Sequence, residues 1–282
     1  MAYWRRAGAR SESPKLLFLH GLGASSHIWE PLARHLPSGL ELVAPDLPGA
    51  GATPSRGPLG PAEFAAFALE FATAAGLDHL DVVAGHSLGG AIALEVGLRA
   101  PERVGGLMIF NAAPSLPLWT RLGLRAPGVQ KLLALPELAP RQQAAVRLFT
   151  QVYLRGIFGE RRGVTPELVE GYAKLAEVPG YHRNMAETLA AFGRHARSIQ
   201  ELAGLAMPAS IVWGERDPLF PVAVAERLAR ALPQAALHRL PRCGHCPPQE
   251  CPEQVATLLM ELVSRVARAG SGLRRASGAR NS

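Results

Sequence analysis

The sequence predicts an α/β fold: a mostly parallel sheet with helices on both faces, interrupted by a helical insertion. Three observations carry this. Short apolar runs alternate with helical segments from Lys15 to Phe110, and the alternation resumes at Ala209. The runs show no inside-outside polarity, which suits strands buried on both faces. Between the two regions, from Pro114 to Ile199, apolar residues recur at helical spacing and no strand pattern is evident.

The elements follow in order. Lys15 to Leu19 is a short apolar run ending at His20-Gly21 and reads as a buried strand. Ser25 or Ser26 can cap a helix running through Trp29, Leu32 and Leu36. Leu40 to Ala44 is the next strand, closed by Pro45. Pro61 to Ala75 is helical, with Phe64, Phe67 and Phe71 on its apolar positions. Leu80 to Ala84 is a strand feeding the Gly85 turn, Ala91 to Arg99 a helix, and Val104 to Phe110 a strand. In the insertion, Gln142 to Tyr153 and Pro166 to Ala176 are expected helices. Afterwards come a strand at Ala209 to Trp213, a helix at Val222 to Leu232, a strand at Leu237 to Leu240 and a helix at Glu253 to Ala267. Strands alternating with helices imply a parallel sheet wrapped on both sides. The expected division is a core of residues 1–113 and 200–267, an insertion at 114–199, and a disordered basic tail at 268–282, which is rich in Gly, Ser, Ala and Arg.

Composition excludes several classes. The chain has 282 residues, 48% of them apolar, enough for one large core. Its net charge is +7, but Arg5, Arg6 and Arg10 at one end and Arg268, Arg274, Arg275 and Arg280 at the other account for all of it. A neutral body with basic ends is no nucleic-acid-binding face. No apolar stretch is long enough to cross a bilayer. Glu12, Pro14 and Lys15 interrupt the place where a secretory h-region would lie, so a cytoplasmic protein is expected. Three cysteines, Cys243, Cys246 and Cys251, fit a reducing compartment. Cys243-Gly-His-Cys246 invites a zinc or redox reading, but no further paired ligands accompany it. No metal or cofactor is expected, and neither Gly49-x-Gly51 nor Gly21-x-Gly23 continues into a dinucleotide fingerprint.

Four motifs carry chemistry. Gly85-His86-Ser87-Leu88-Gly89-Gly90 matches G-x-S-x-G between a predicted strand and a predicted helix. A serine on so sharp a turn needs small neighbours, and the helix N-terminus beneath it favours developing negative charge. Ser87 is the expected nucleophile. His20-Gly21-Leu22-Gly23 ends another strand, and the N–H groups of Leu22 and Leu88 are the expected oxyanion hole. His20 is expected to brace that turn. Trp213-Gly-Glu-Arg-Asp217-Pro218 offers Asp217 as the orienting acid, with Glu215 as rival. Arg242-Cys-Gly-His245 offers His245 as the base. The order Ser, Asp, His is the order that a strand–turn–helix nucleophile of this type requires. His86 adjoins the serine, but its side chain is expected to turn away from the hydroxyl.

With these motifs the sequence resembles the α/β-hydrolases that carry a helical cap, the group of small esterases, lactonases and carbon–carbon bond hydrolases. The resemblance runs from about Leu16 to Val263 and includes Asp46-Leu-Pro-Gly-Ala50-Gly51, Pro101-Glu-Arg-Val104 and Glu250-Cys-Pro-Glu253. Ala50 and Thr53 depart from the bulky residue and the serine usual there. The resemblance implies an eight-stranded type of sheet with the cap inserted after the sixth strand. It also implies an esterase reaction through an acyl-enzyme on Ser87, or thioester or carbon–carbon bond cleavage by the same three residues. A catalytically idle ligand-binding module is the other alternative. The expected partner is a small apolar ester or lactone, with Trp119, Phe149 and Tyr153 as substrate-binding residues. Leu118, Leu122, Leu148 and Phe158 are further apolar residues that could line the pocket.

Overall fold

The computed structural model describes residues 1–10, 12–115, 143–194 and 197–278. Seven strands form one sheet: β1 (Tyr3–Arg6), β2 (Lys15–Leu19), β3 (Glu41–Pro45), β4 (Val82–His86), β5 (Leu107–Phe110), β6 (Ala209–Gly214) and β7 (Ala235–Leu240). Their spatial order is β1-β3-β2-β4-β5-β6-β7. All neighbours are parallel except β1, which pairs antiparallel with β3 from Tyr3 opposite Pro45 to Arg6 opposite Leu42.

The alternation of strand side chains divides the core into two layers. Leu17, Leu19, Val43, Val83, Ile109, Ile211 and Trp213 face one side. There they meet α2 (Pro61–Ala74), α3 (Leu88–Arg99) and α7 (Val222–Ala231). Leu16, Phe18, Leu42, Ala44, Val82, Met108, Phe110 and Val212 face the other. There they meet α1 (Glu30–His35) and α9 (Pro252–Gly278). Both faces are apolar because both are covered, the reason these runs lack polar alternation.

Between β5 and β6 lie α4 (Gln143–Ile157), α5 (Pro166–Leu175) and α6 (Tyr181–Arg194). Among the described residues these helices follow the fifth of seven strands in chain order; a sheet of the eight-stranded type with the break after the sixth was expected. The edge strand β1 was not anticipated: it has four residues, and only Trp4 and Arg6 turn partly inward. Ser25 precedes the turn Ser26–Trp29 but does not cap it; its hydroxyl lies 2.8 Å from His27 Nδ1. The last helix, expected to end near Ala267, continues to Gly278, through part of the stretch assigned to a disordered tail. Alanine, leucine and arginine are strong helix formers, and Gly270 and Gly272 together cost too little to stop a helix already nucleated.

The parallel order brings the carboxyl ends of β2, β4, β5, β6 and β7 to one edge. Ligand sites of such sheets collect there, and the loops carrying Leu22, Ser87, Asp217 and His245 all lie on that edge.

Candidate active site

Ser87 occupies the one-residue turn between β4 and α3, with φ 53° and ψ −117°. This is left-handed backbone that a non-glycine residue adopts at a cost of about 1–3 kcal/mol. Its N–H donates to the Phe110 carbonyl at 2.9 Å, locking the turn to β5. The surrounding glycines are required by space: a Cβ on Gly85 would run into the Gly89 carbonyl, and one on Gly89 into the Leu19 carbonyl. Helix α3 begins directly after the serine, at Leu88.

The carboxylate and the imidazole meet across two other loops. His245 Nδ1 lies 2.8 Å from Asp217 Oδ2, and both side chains are almost wholly buried. Asp217 has three further donors: Asn111 Nδ2 at 2.6 Å to Oδ2, and the N–H groups of Leu219 and Phe220 at 2.7 and 3.2 Å to Oδ1. Burial pushes the Asp217 carboxyl up, but the bond and charge of His245, with the Asn111 and Leu219 donors, outweigh it and hold the pKa below its ordinary value. Glu215 instead pairs with Arg239 at 2.6 Å on the surface. Gly214 leaves room for this crossing, since a Cβ there would strike the Gly244 and Cys243 carbonyls.

Asn111 was missed in the sequence. It follows β5, is fully buried and has φ 40°. Its Oδ1 accepts from the Gly214 N–H at 2.9 Å while its Nδ2 donates to Asp217, so it ties the base of the acid loop to the acid itself. A polar residue directly after the buried run Leu107–Phe110 was the available signal.

Among the described residues, the N–H groups of Leu22 and Leu88 donate to no protein acceptor. Gly21 packs against the elbow: a Cβ on it would come within 3.2 Å of Ser87 Cβ. The Ser87 hydroxyl makes no hydrogen bond among the described residues. Serine–histidine contacts are often long without substrate and tighten when it binds. A strained serine at a helix N-terminus, a buried carboxylate–imidazole pair and two unengaged amides are the elements acyl transfer uses.

Comparison with known proteins gives the family. Residues 16–258 match the Alpha/beta hydrolase family. The chain is an α/β hydrolase. It is 33% identical over 259 residues to a pimeloyl-[acyl-carrier protein] methyl ester esterase from Aromatoleum aromaticum, covering 89% of this chain and 98% of that protein. It is 28% identical over 182 residues to a 2-hydroxy-6-oxononadienedioate/2-hydroxy-6-oxononatrienedioate hydrolase from a Pseudomonas species, covering 64% of this chain and 62% of that one. A thermophilic esterase from Thermogutta terrifontis shares the fold, with a TM-score of 0.74 at 20% identity, over 94% of this chain and 93% of the other.

Two histidines of this hydrolase brace the site. His20 Nδ1 lies 2.8 Å from the Gly21 carbonyl and its Nε2 accepts from the Leu47 N–H at 2.9 Å, so it ties the glycine turn to the loop after β3. Burial lowers its pKa to about 4. His86 turns away from the hydroxyl, and its Nε2 lies 2.8 Å from the His245 carbonyl. Burial, then the neighbouring His245, lowers its pKa to about 3. Both stay neutral near pH 7; His20 uses both ring nitrogens, one as donor and one as acceptor, whereas among the described residues the buried Nδ1 of His86 has no partner.

The cysteines of the hydrolase are free thiols. The Cys243–Cys251 contact, then burial, raises the Cys243 thiol, and burial raises Cys246, so both stay protonated and unreactive. Among the described residues no three metal-ligating side chains converge. Replacing Cys243 and Cys246 together by alanine is expected to keep kcat within about tenfold, the loss coming from a slightly misplaced His245. Chelator or reductant should leave the rate unchanged. Stoichiometric zinc in the purified protein, or chelator inactivation reversed by added metal, contradicts this.

Of the expected substrate-binding residues, Trp119 lies outside the described residues, as do Leu118 and Leu122. Leu148 and Phe149 are exposed on α4. Phe158 is buried with Leu154, Ile157, Val164, Val169 and Cys246 in a small cluster of its own. Tyr153 is both crowded and open. Burial, with Cys246, Tyr181 and Asp217 in electrostatic reach, raises its hydroxyl pKa, yet 45% of its surface is accessible.

Proposed function

We propose that this hydrolase cleaves a carboxylic ester through an acyl-enzyme on Ser87. His245 Nε2 removes the Ser87 proton as Oγ attacks the ester carbonyl, and the Leu22 and Leu88 amides stabilise the oxyanion. Asp217 holds the imidazole in the tautomer that leaves Nε2 free and stabilises the imidazolium. His245 then protonates the departing alcohol, and a water activated in the same way releases the acid. The observation that carries this reading is the 2.8 Å Asp217–His245 pair in the loops that flank a strained serine. A serine at the elbow favours attack at an acyl carbon.

The substrate we assign is a small-alcohol ester at the end of an aliphatic acyl chain, in line with the esterase relative. Two features support a chain borne on a negatively charged carrier. Arg161, Arg162, Arg216 and Arg242 are exposed beside the acid and histidine loops. Arg162 and Arg242 share the carboxylate of Glu160, at 2.7 and 3.9 Å, and the Arg216 guanidinium donates to the Gly159 carbonyl. Tyr153 and Phe149 offer accessible apolar surface to the acyl chain. Helices α4 to α6 serve as a cap over a core of residues 1–113 and 200–267; the Tyr181 hydroxyl, which donates to the Gly23 carbonyl at 2.8 Å, supports this. A cytoplasmic location, also proposed, suits three cysteines kept as thiols.

The relative that hydrolyses an oxo-dienedioate favours a second reading, carbon–carbon bond hydrolysis by the same residues. A panel of aliphatic methyl esters, lactones, thioesters and vinylogous diketones, run beside fluorophosphonate labelling, separates the two. Labelling at Ser87 with the highest kcat/KM on a methyl ester is the expected result. Preference for the diketone moves the assignment to carbon–carbon cleavage, and a chain that neither labels nor turns over any substrate is an idle binding module.

A further inference from the structure

Glu250 belongs to the Glu-Cys-Pro-Glu segment noted in the sequence, and the mechanism above gives it no role. Its Oε2 accepts from the Gly244 N–H at 2.9 Å and the Gly159 N–H at 2.7 Å, and its Oε1 accepts from the Cys246 N–H at 2.9 Å. The His245 N–H donates to the Ile157 carbonyl at 2.8 Å. Three consecutive amides of the histidine loop are therefore held, two by one carboxylate and one by the end of α4. The contact is backbone against backbone: a Cβ on Gly244 would strike the Ile157 carbonyl, and one on Gly159 the Arg242 carbonyl. Hydrogen bonds to an ionised acceptor are roughly twice as strong as neutral ones. Glu250 ends the short helix α8 (Pro247–Glu250), which starts directly after Cys246, so its carboxylate reaches back over the loop from which it emerged.

We propose that Glu250 is a positioning residue for His245. Its carboxylate sets the backbone from Gly244 to Cys246, and with it the place of the imidazole between Asp217 and Ser87. Through Gly159 it also fastens that loop to the turn after α4, so the histidine is placed only when the end of α4 is docked. The inference rests on the reading of His245 as the base. A carboxylate is required, because all three neighbours are N–H donors. A glutamine could accept at one oxygen only, and its NH₂ would face a donor.

Glu250→Gln tests this in the full chain. A misplacement of about 1 Å costs roughly 10²-fold. The expected result is therefore a kcat lower by about 10²-fold, KM within about threefold, and fluorophosphonate labelling of Ser87 slowed in proportion. The downfield proton resonance of the Asp217–His245 hydrogen bond should weaken or broaden in a variant that still unfolds cooperatively. Glu253→Gln, an exposed neighbour, should match wild type in all of these. A folded Glu250→Gln that keeps kcat within about twofold and an unchanged resonance overturns the proposal. So does a variant that loses thermal stability but reacts at the wild-type rate per labelled site. If Glu250→Gln does not fold, Glu250→Asp, which keeps the charge but shortens the reach, is judged by the same criteria. The underlying reading fails separately: if His245→Ala keeps ester turnover, His245 is not the base, whatever Glu250 does.

Discussion

Ser87→Ala is expected to lower kcat for ester hydrolysis by about 10⁴–10⁶-fold while leaving the fold intact. The hydroxyl makes no hydrogen bond among the described residues, so its removal leaves no partner stranded. The backbone at φ 53° is as available to alanine as to serine, and the Ser87 N–H still reaches Phe110. The residual rate comes from substrate binding and the oxyanion amides alone. Steady-state kinetics, a thermal melt and a fluorophosphonate probe check this together. A variant that keeps a tenth of the wild-type rate, or that still labels, places the nucleophile elsewhere.

Asp217→Asn should be nearly as damaging, with kcat lower by about 10⁴-fold. Every group that touches the Asp217 carboxylate in the structure is or can be a donor: His245 Nδ1, Asn111 Nδ2, and the N–H groups of Leu219 and Phe220. An amide has one oxygen for these four. If its oxygen faces His245, its NH₂ meets the two backbone donors. If it turns over, the imidazole must accept at Nδ1 and carry its proton on Nε2, the tautomer that cannot act as base. Glu215→Gln removes only a partly exposed ion pair with Arg239, and such pairs contribute about 0–1 kcal/mol. Its kcat/KM should stay within about threefold of wild type. The opposite ranking of the two variants moves the acid to Glu215.

Much of this protein is legible in local sequence. Gly85-x-Ser87-x-Gly89 between a strand and a helix marks the elbow because only glycines tolerate the approach of α3 to β4 and β2, a constraint written into the residues themselves. The buried strands are legible because both faces of the sheet are covered, which leaves continuous apolar runs. The order Ser, Asp, His follows from the order of the strands. Asp217 and Glu215 are different. Two residues apart in the same loop, they are equal in sequence, and only the crossing of the β6 and β7 loops at Gly214 and Gly244 decides which one meets His245.

The partners of Asn111 and Glu250 are hidden from the sequence for the same reason. Each residue makes a hydrogen bond to a backbone amide far along the chain, 103 residues away for Asn111 and Gly214 and 91 for Glu250 and Gly159. No local pattern records such a bond. The edge strand β1 was likewise settled by its partner, since four residues with two half-buried side chains acquire strand geometry only by pairing with β3. Sequence by itself therefore determined the fold class, the elbow and the candidate serine, acid and histidine loops, because steric and hydrophobic constraints act between near neighbours. Tertiary structure alone decided which carboxylate pairs with the histidine and which buried polar groups hold the pair in place, because those choices depend on loops that meet only at the carboxyl edge of the folded sheet.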